Sequence, residues 1–295
     1  MKIFSFRGIN VYLHWTWALV AFFQLKYRYE TYTHIGWAAA EYVTLFAIVL
    51  LHEFGHALAC RQVGGTAETI LLWPLGGVAF VQPPERPGAQ LWSIVAGPLV
   101  NLILIAPTVL AAWLYNGGFG PTRGDFGEYL FMIALINGAL LAFNLLPVYP
   151  LDGGQILRSI LWYFIGPANS LLIASLIGLA ASAIGFLITL RLGLVWLGIM
   201  AAFALWQSWM GFQRARSWLK WQQISRHAHA ACPGCGTFPP KIKAWQCDAC
   251  GQPLDIIAAG AICPQCAKQF PLIPCPSCSG SWPLTDWLRA ATMAR

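Results

Sequence analysis

Apolar residues in this chain come in long continuous runs. Six runs approach the roughly 20 residues that a helix needs to cross the hydrocarbon core of a bilayer. They lie near 11–25, 37–60, 90–115, 128–146, 168–190 and 194–213, and the first is the shortest. The third contains Pro107, which predicts a kink. The fifth contains Gly178, Ala181, Ala183 and Gly185, small residues that suit close helix packing. Between the second and third runs, ETILLWPLGGVAFV (68–81) alternates apolar and β-branched residues with glycine and proline. It is too short and broken to span, and reads as a re-entrant strand pair or loop. Beyond residue 213 the chain turns polar and holds eight of its nine cysteines.

This pattern predicts an all-α polytopic membrane protein of about six transmembrane helices with a re-entrant β-hairpin or loop, followed by a small β-rich zinc-ribbon domain. The expected organisation is a transmembrane domain over 1–213, a basic linker over 214–230 and a cysteine-rich domain over 231–295. Composition agrees: 58% of residues are hydrophobic and 10% charged, against roughly 25% charged in soluble domains. MKIFSFRGIN leads into the first run without a small-residue cleavage site, so no cleavable signal peptide is expected. The formal charge of +7 is read as the basic bias of cytoplasmic loops, and nucleic acid is an unlikely partner. With six spans both termini share a side. If it is cytoplasmic, it holds Lys2, Arg7, Arg61, Arg86, Arg158, Arg214, Arg216 and Lys220, against Lys26, Arg28, Arg123 and Arg191 opposite. That eight-to-four bias predicts a multi-pass protein with N- and C-termini in the cytoplasm.

The second run contains LLHEFGHALAC (50–60). Ionisable side chains inside an oily span are costly and mark function. His52 and His56 stand one helical turn apart on one face, so both imidazoles can reach one ion. Glu53 follows the first histidine and can act on water as a general base. H-E-x-x-H on a helix is a zinc-hydrolase pattern. Catalytic zinc usually takes three protein ligands, and two histidines supply two. Of the acids between this motif and the next histidines, only Asp152 has an unusual setting, FNLLPVYPLDGGQILRSI. Pro147 and Pro150 stop the fourth run, and Gly153 and Gly154 allow close backbone approach. Asp152 is the candidate third ligand, with helix N-cap as the alternative, or both. His56 lies five residues before Arg61, about 7–8 Å at helical rise, which places the metal near that end of the span. Glu41, at the other end, is expected to be a solvated end charge. His14 is expected to be an interfacial anchor, with a role near the site as the lesser reading.

These motifs together resemble the site-2 protease family of intramembrane zinc metalloproteases. The resemblance covers roughly residues 1–165 and rests on HEFGH, NLLPVYPLDGG, AGPLVN (96–101), LLWPLGGVAF (71–80) and VYLHWTW (11–17). It implies that His52, His56 and Asp152 hold a catalytic Zn2+ and that Glu53 activates water. Asn144, the motif asparagine, is then a polar contact to substrate or to the reacting carbonyl, with an interhelical hydrogen bond as its alternative. The implied substrate is a membrane-spanning protein cut within the bilayer, in or near its transmembrane segment. The free edge of 68–81 is expected to pair with an unwound substrate. Gly97, Pro98 and Asn101 are expected to bring the third span close to the catalytic helix. The alternative is a catalytically idle scaffold that recruits partners through its ribbons.

The tail carries four C-x-x-C pairs, Cys232/Cys235, Cys247/Cys250, Cys263/Cys266 and Cys275/Cys278, with 11, 12 and 8 residues between them. Such knuckles are zinc-ribbon signals. Two structural Zn2+ sites are expected, formed by neighbouring pairs in preference to interleaved ones, and used to dock or regulate through a protein partner. Lys241, Lys243 and Trp245 form a small basic and aromatic patch.

Overall fold

The structure is a computed structural model that describes residues 1–28, 30–73, 76–118 and 121–293. The chain packs as two units, Met1–Arg216 and Ser217–Arg295. The first contains strands β1 (Lys2–Phe6) and β2 (Ile9–Leu13), helices α1 (Trp17–Arg28) and α2 (Ile35–Gln62), strands β3 (Thr66–Trp73) and β4 (Gly76–Gln82), then helices α3 (Pro87–Asn116), α4 (Gly124–Asn144), α5 (Asp152–Leu192) and α6 (Val195–Gln223), the last of which ends seven residues into the second unit. Among the described residues five helices, α2 to α6, are long and apolar enough to cross a membrane. Span-length apolar helices in this number make this an integral membrane protein.

The first expected span, 11–25, is not one helix. Val11–Leu13 belong to β2, which pairs in parallel with β3. The helix begins only at Trp17, and its 12 residues cover about 18 Å. Strand and helix together nevertheless run the length of α2. Arg61, at one end of α2, donates to the carbonyls of Arg7 and Gly8. Arg28, at the end of α1, reaches Glu41 near the other end of α2. A strand rises twice as steeply per residue as a helix, which lets a short apolar run cover the distance.

The expected strand pair over 68–81 is present as β3 and β4, although Pro74 and Leu75 lie outside the described residues. The sheet has the order β1-β2-β3-β4, with β2–β3 parallel and the other pairs antiparallel. Its inner face buries Ile9, Val11, Ile70 and Leu72 against Val49, Ala57 and Cys60 of α2. On its outer face Tyr12, His14, Thr69, Leu71 and Phe80 line an apolar groove of about 580 Å³. His14 therefore lines this groove, and its ring bonds Thr16 at 2.6 Å.

Helix α5 contains more than the fifth expected span. It starts at Asp152 and breaks at Gly166, whose φ of 77° precedes Pro167. Only glycine adopts that left-handed conformation readily, and the proline removes an amide donor there. Helix α3 by contrast continues through Pro98 and Pro107.

Glu41 is not a solvated end charge. It is fully buried and accepts from Gln24 at 2.9 Å, Arg28 at 3.2 Å and Tyr32 at 2.7 Å. Arg28 also pairs with Glu128 of α4 at 3.1 Å. Burial, and then the bond to Glu41, pushes the Tyr32 phenol well above its usual range. A charge buried this deeply persists only when paired, and here the pairing ties α1, α2 and α4 together.

The second unit has two short hairpins, β5 (Trp245–Gln246) with β6 (Pro253–Leu254) and β7 (Ile273–Pro274) with β8 (Ser281–Trp282), and helix α7 (Leu284–Met293). Its core holds Trp245, Leu254, Ile256, Ile273 and Trp287. Trp245 donates to the Pro274 carbonyl from within that core, which takes the aromatic member out of the expected basic patch.

Candidate metal centre

His52 and His56 project from successive turns of α2, and Asp152 opens α5. Their Nε2 atoms lie 3.0 Å apart. Asp152 Oδ2 is 3.0 Å from His52 Nε2 and 3.4 Å from His56 Nε2. Both histidines are buried. The tautomers follow from their other nitrogens. Asn101 Nδ2 donates to Asn137 Oδ1 at 2.8 Å, and Asn137 Nδ2 donates to the Asn101 carbonyl at 3.0 Å. That fixes the Asn101 amide so that its Oδ1 faces His52 Nδ1 at 2.5 Å. His56 Nδ1 faces the Ser93 carbonyl at 2.9 Å. Both Nδ1 atoms are therefore donors, and in the neutral rings that can bind a metal both Nε2 atoms present lone pairs inward.

Two imidazole nitrogens and a carboxylate thus converge on one point. Asp152 Oδ2 is buried and has no hydrogen-bond partner among the described residues. Facing acceptors repel one another and are stable together around a cation. The donor set, two imidazoles and one carboxylate, is one that zinc accepts. The capping alternative for Asp152 is not realised, since the N-cap of α5 is Leu151 with no side-chain cap bond.

Close helix approach makes the convergence possible. A Cβ on Gly97 of α3 would overlap the His56 ring, and one on Gly55 would meet the Ala96 carbonyl oxygen at 2.7 Å. Gly97 and Asn101 therefore bring α3 against α2, as the sequence led us to expect. Asn101 also bonds the site directly. Ser93 and Asn137 carried no sequence signal beyond being polar in an oily run. The loop before Asp152 is seated by α5 and α6. Tyr149 accepts from Ser208 Oγ at 2.5 Å, and a Cβ on Gly211 would meet Ser175 Oγ at 2.6 Å and Tyr149 Cε1 at 2.9 Å.

Glu53 is buried beside the histidines, and its Oε2 accepts from the Ala79 amide of β4 at 2.9 Å. Asn144 ends α4, half-buried, and makes no side-chain hydrogen bond among the described residues. The interhelical bond considered as its alternative role is therefore not formed.

In the second unit the cysteines cluster as Cys232, Cys235, Cys275 and Cys278, and as Cys247, Cys250, Cys263 and Cys266. The pairing is nested, first pair with fourth and second with third. This corrects the expectation of neighbouring pairs. The physical reason lies in the chain ends: the Ala231 amide bonds the Trp287 carbonyl at 2.9 Å, which draws the first knuckle to the last. Each knuckle closes alike, with the amides of Gly236, Gly251, Ala267 and Ser279 donating to the carbonyls of Cys232, Cys247, Cys263 and Cys275. Each cluster holds a thiol below its usual range, Cys235 through the Thr237 hydroxyl and Cys263 through the Cys266 amide.

A span-length helix that offers two buried histidines to an aspartate at the start of another, with a glutamate beside them, defines the class of membrane-embedded metallopeptidases. The sequence profile of peptidase family M50 matches residues 40–123 and 121–188, and the chain belongs to that family. It is 33% identical over 202 residues to the zinc metalloprotease MJ0392 of Methanocaldococcus jannaschii, covering 68% of this chain and 56% of that protein. It is 33% identical over 171 residues to the protein sll0528 of Synechocystis sp., covering 55% and 44%. Among solved structures it is similar to the site-2 protease from Methanocaldococcus jannaschii, with a TM-score of 0.53 and 28% identity, covering 72% of this chain and 94% of that one. The chain spans about half the length of the curated relatives it matches.

Proposed function

We propose that this protein is an intramembrane zinc endopeptidase that hydrolyses peptide bonds in or near transmembrane segments of protein substrates. The observation that carries the reading is the convergence of three buried acceptors, His52 Nε2, His56 Nε2 and Asp152 Oδ2, beside the Glu53 carboxylate. The three would hold Zn2+. When bound, zinc supplies a Lewis acid that acidifies water and polarises a carbonyl. Glu53 takes the proton of the attacking water and passes it to the leaving amine. Asn144, with its amide unengaged, donates to the oxygen of the reacting carbonyl. Strand β4 pairs only with β3 among the described residues, so apart from the Ala79 amide held by Glu53 its other edge is open to an extended substrate, whose peptide bonds a helix would otherwise shield. The test is co-expression with a panel of single-span reporters. Product from the wild type and none from a Glu53→Gln chain supports the reading, and equal product overturns it.

The asparagine pair holds the ligand set from behind. Replacing Asn101 with leucine leaves His52 Nδ1 without its acceptor, and should weaken zinc binding by roughly 10- to 100-fold. Chelator competition on the purified protein measures this.

The tail is proposed to carry two closed, structural zinc sites of four thiolates each and to dock or regulate through a protein partner. Three ligand clusters predict three zincs per chain. Replacing both Cys232 and Cys278 with serine should lower the count by one, because nested pairing puts both in one site. Neighbouring pairing would put them in different sites and lower it by two. Eight thiols held for metal fit a reducing compartment. With the N-terminal strands beside the Arg61 end of α2, this supports cytoplasmic termini.

A further inference from the structure

Strand β4 contributes more to this site than an open edge. The Ala79 amide that bonds Glu53 Oε2 cannot also bond β3, so it points off the sheet edge toward α2. Gly77 stands two residues earlier and so on the same face of the strand. Its φ is not in the left-handed region, and a Cβ on it would overlap Cγ, Cδ and Oε1 of Glu53. The site therefore uses the missing side chain of this glycine, since its backbone conformation is open to any residue. Glu53 is buried, leaving its carboxylate little room to move aside.

We infer that Gly77 is a positioning residue for the general base: its bare backbone and the Ala79 amide hold the Glu53 carboxylate from two sides, so that β4 sets where the water proton is taken. The inference rests on the reading of Glu53 as that base. It gives β4 a role separate from substrate pairing, and the two roles differ in what they do to kinetics. A misplaced base lowers kcat, whereas a damaged pairing edge raises KM.

The experiment compares full-length wild type and Gly77→Ala on a single-span reporter, with kcat, KM and zinc content measured together. We expect kcat to fall on the order of a hundredfold, the scale of a misplacement by about 1 Å, with KM within about twofold and zinc content unchanged. An unchanged kcat, or a raised KM with kcat retained, overturns the inference. If Gly77→Ala fails to accumulate or loses zinc, the double substitution Glu53→Ala/Gly77→Ala decides. Removing the side chain that the new methyl strikes should restore yield and zinc, and failure to restore them overturns the inference. A wild type that cleaves no reporter overturns the protease reading itself, and this inference with it. That outcome is distinct from a cleaving wild type matched by Gly77→Ala.

Discussion

Replacing Glu53 with glutamine is expected to abolish cleavage while leaving the fold and the zinc count as they are. Glutamine matches glutamate in size and keeps an oxygen that can accept from the Ala79 amide, so the contact with β4 survives. What it loses is basicity: an amide takes no proton from water. General-base contributions reach about 10⁴-fold, and we expect a loss of at least a thousandfold, roughly 4 kcal/mol of barrier. The measurement is the initial rate of reporter cleavage by purified chains of equal zinc content. A Glu53→Gln chain that retained a tenth of the wild-type rate would remove Glu53 from the chemistry. The buried position of Glu53 sharpens this expectation, because bulk solvent cannot readily substitute for it.

Asp152→Ala is expected to lose the membrane-unit zinc outright, with the count falling from three per chain to two and cleavage lost with it. Two histidines on one helix remain, which is one ligand short of a catalytic zinc site. The same substitution should act in the opposite direction on the metal-free protein. There, with both rings neutral, Asp152 Oδ2 is a buried acceptor without a hydrogen-bond partner among the described residues, facing two imidazole lone pairs. Leaving such a group unpaired costs about 1–3 kcal/mol. After chelation the alanine variant should thus be as stable as the wild type or more so, whereas with zinc it should be less stable. Thermal unfolding in detergent with and without chelator reads both signs. A chelated variant that unfolds well below chelated wild type would show that Asp152 supports the fold independently of metal.

Much of this protein is legible from its residues in order. The membrane-length helices from α2 onward follow from runs of apolar side chains, because a bilayer selects for length and hydropathy alone. The ligand candidates follow from chemistry that has no inexpensive place in such runs: His52, Glu53 and His56 inside a span, and Asp152 on a segment broken by proline and glycine. The strand pair over 68–81 was visible as an apolar stretch too interrupted for a helix. The errors have a common origin. Residues 11–25 looked like a span because hydropathy does not distinguish a strand followed by a short helix from one continuous helix. Glu41 looked like an end charge because its partners, Arg28 and Tyr32, lie on other parts of the chain.

The sequence by itself determined which groups are available: the two histidines one turn apart, the glutamate between them, the stray aspartate and eight paired thiols. Local spacing is enough for that, since a helix places i and i+4 together whatever surrounds it. Only the tertiary structure decided how those groups combine. It chose the nested cysteine pairing through a backbone bond between Ala231 and Trp287. It fixed the histidine tautomers through Asn101, Asn137 and Ser93. It set Glu53 against β4 at Gly77 and Ala79. Each of these depends on which backbone comes within about 3 Å of another. That is set by side chains absent at glycines far apart in the chain, and no periodicity along one segment records it.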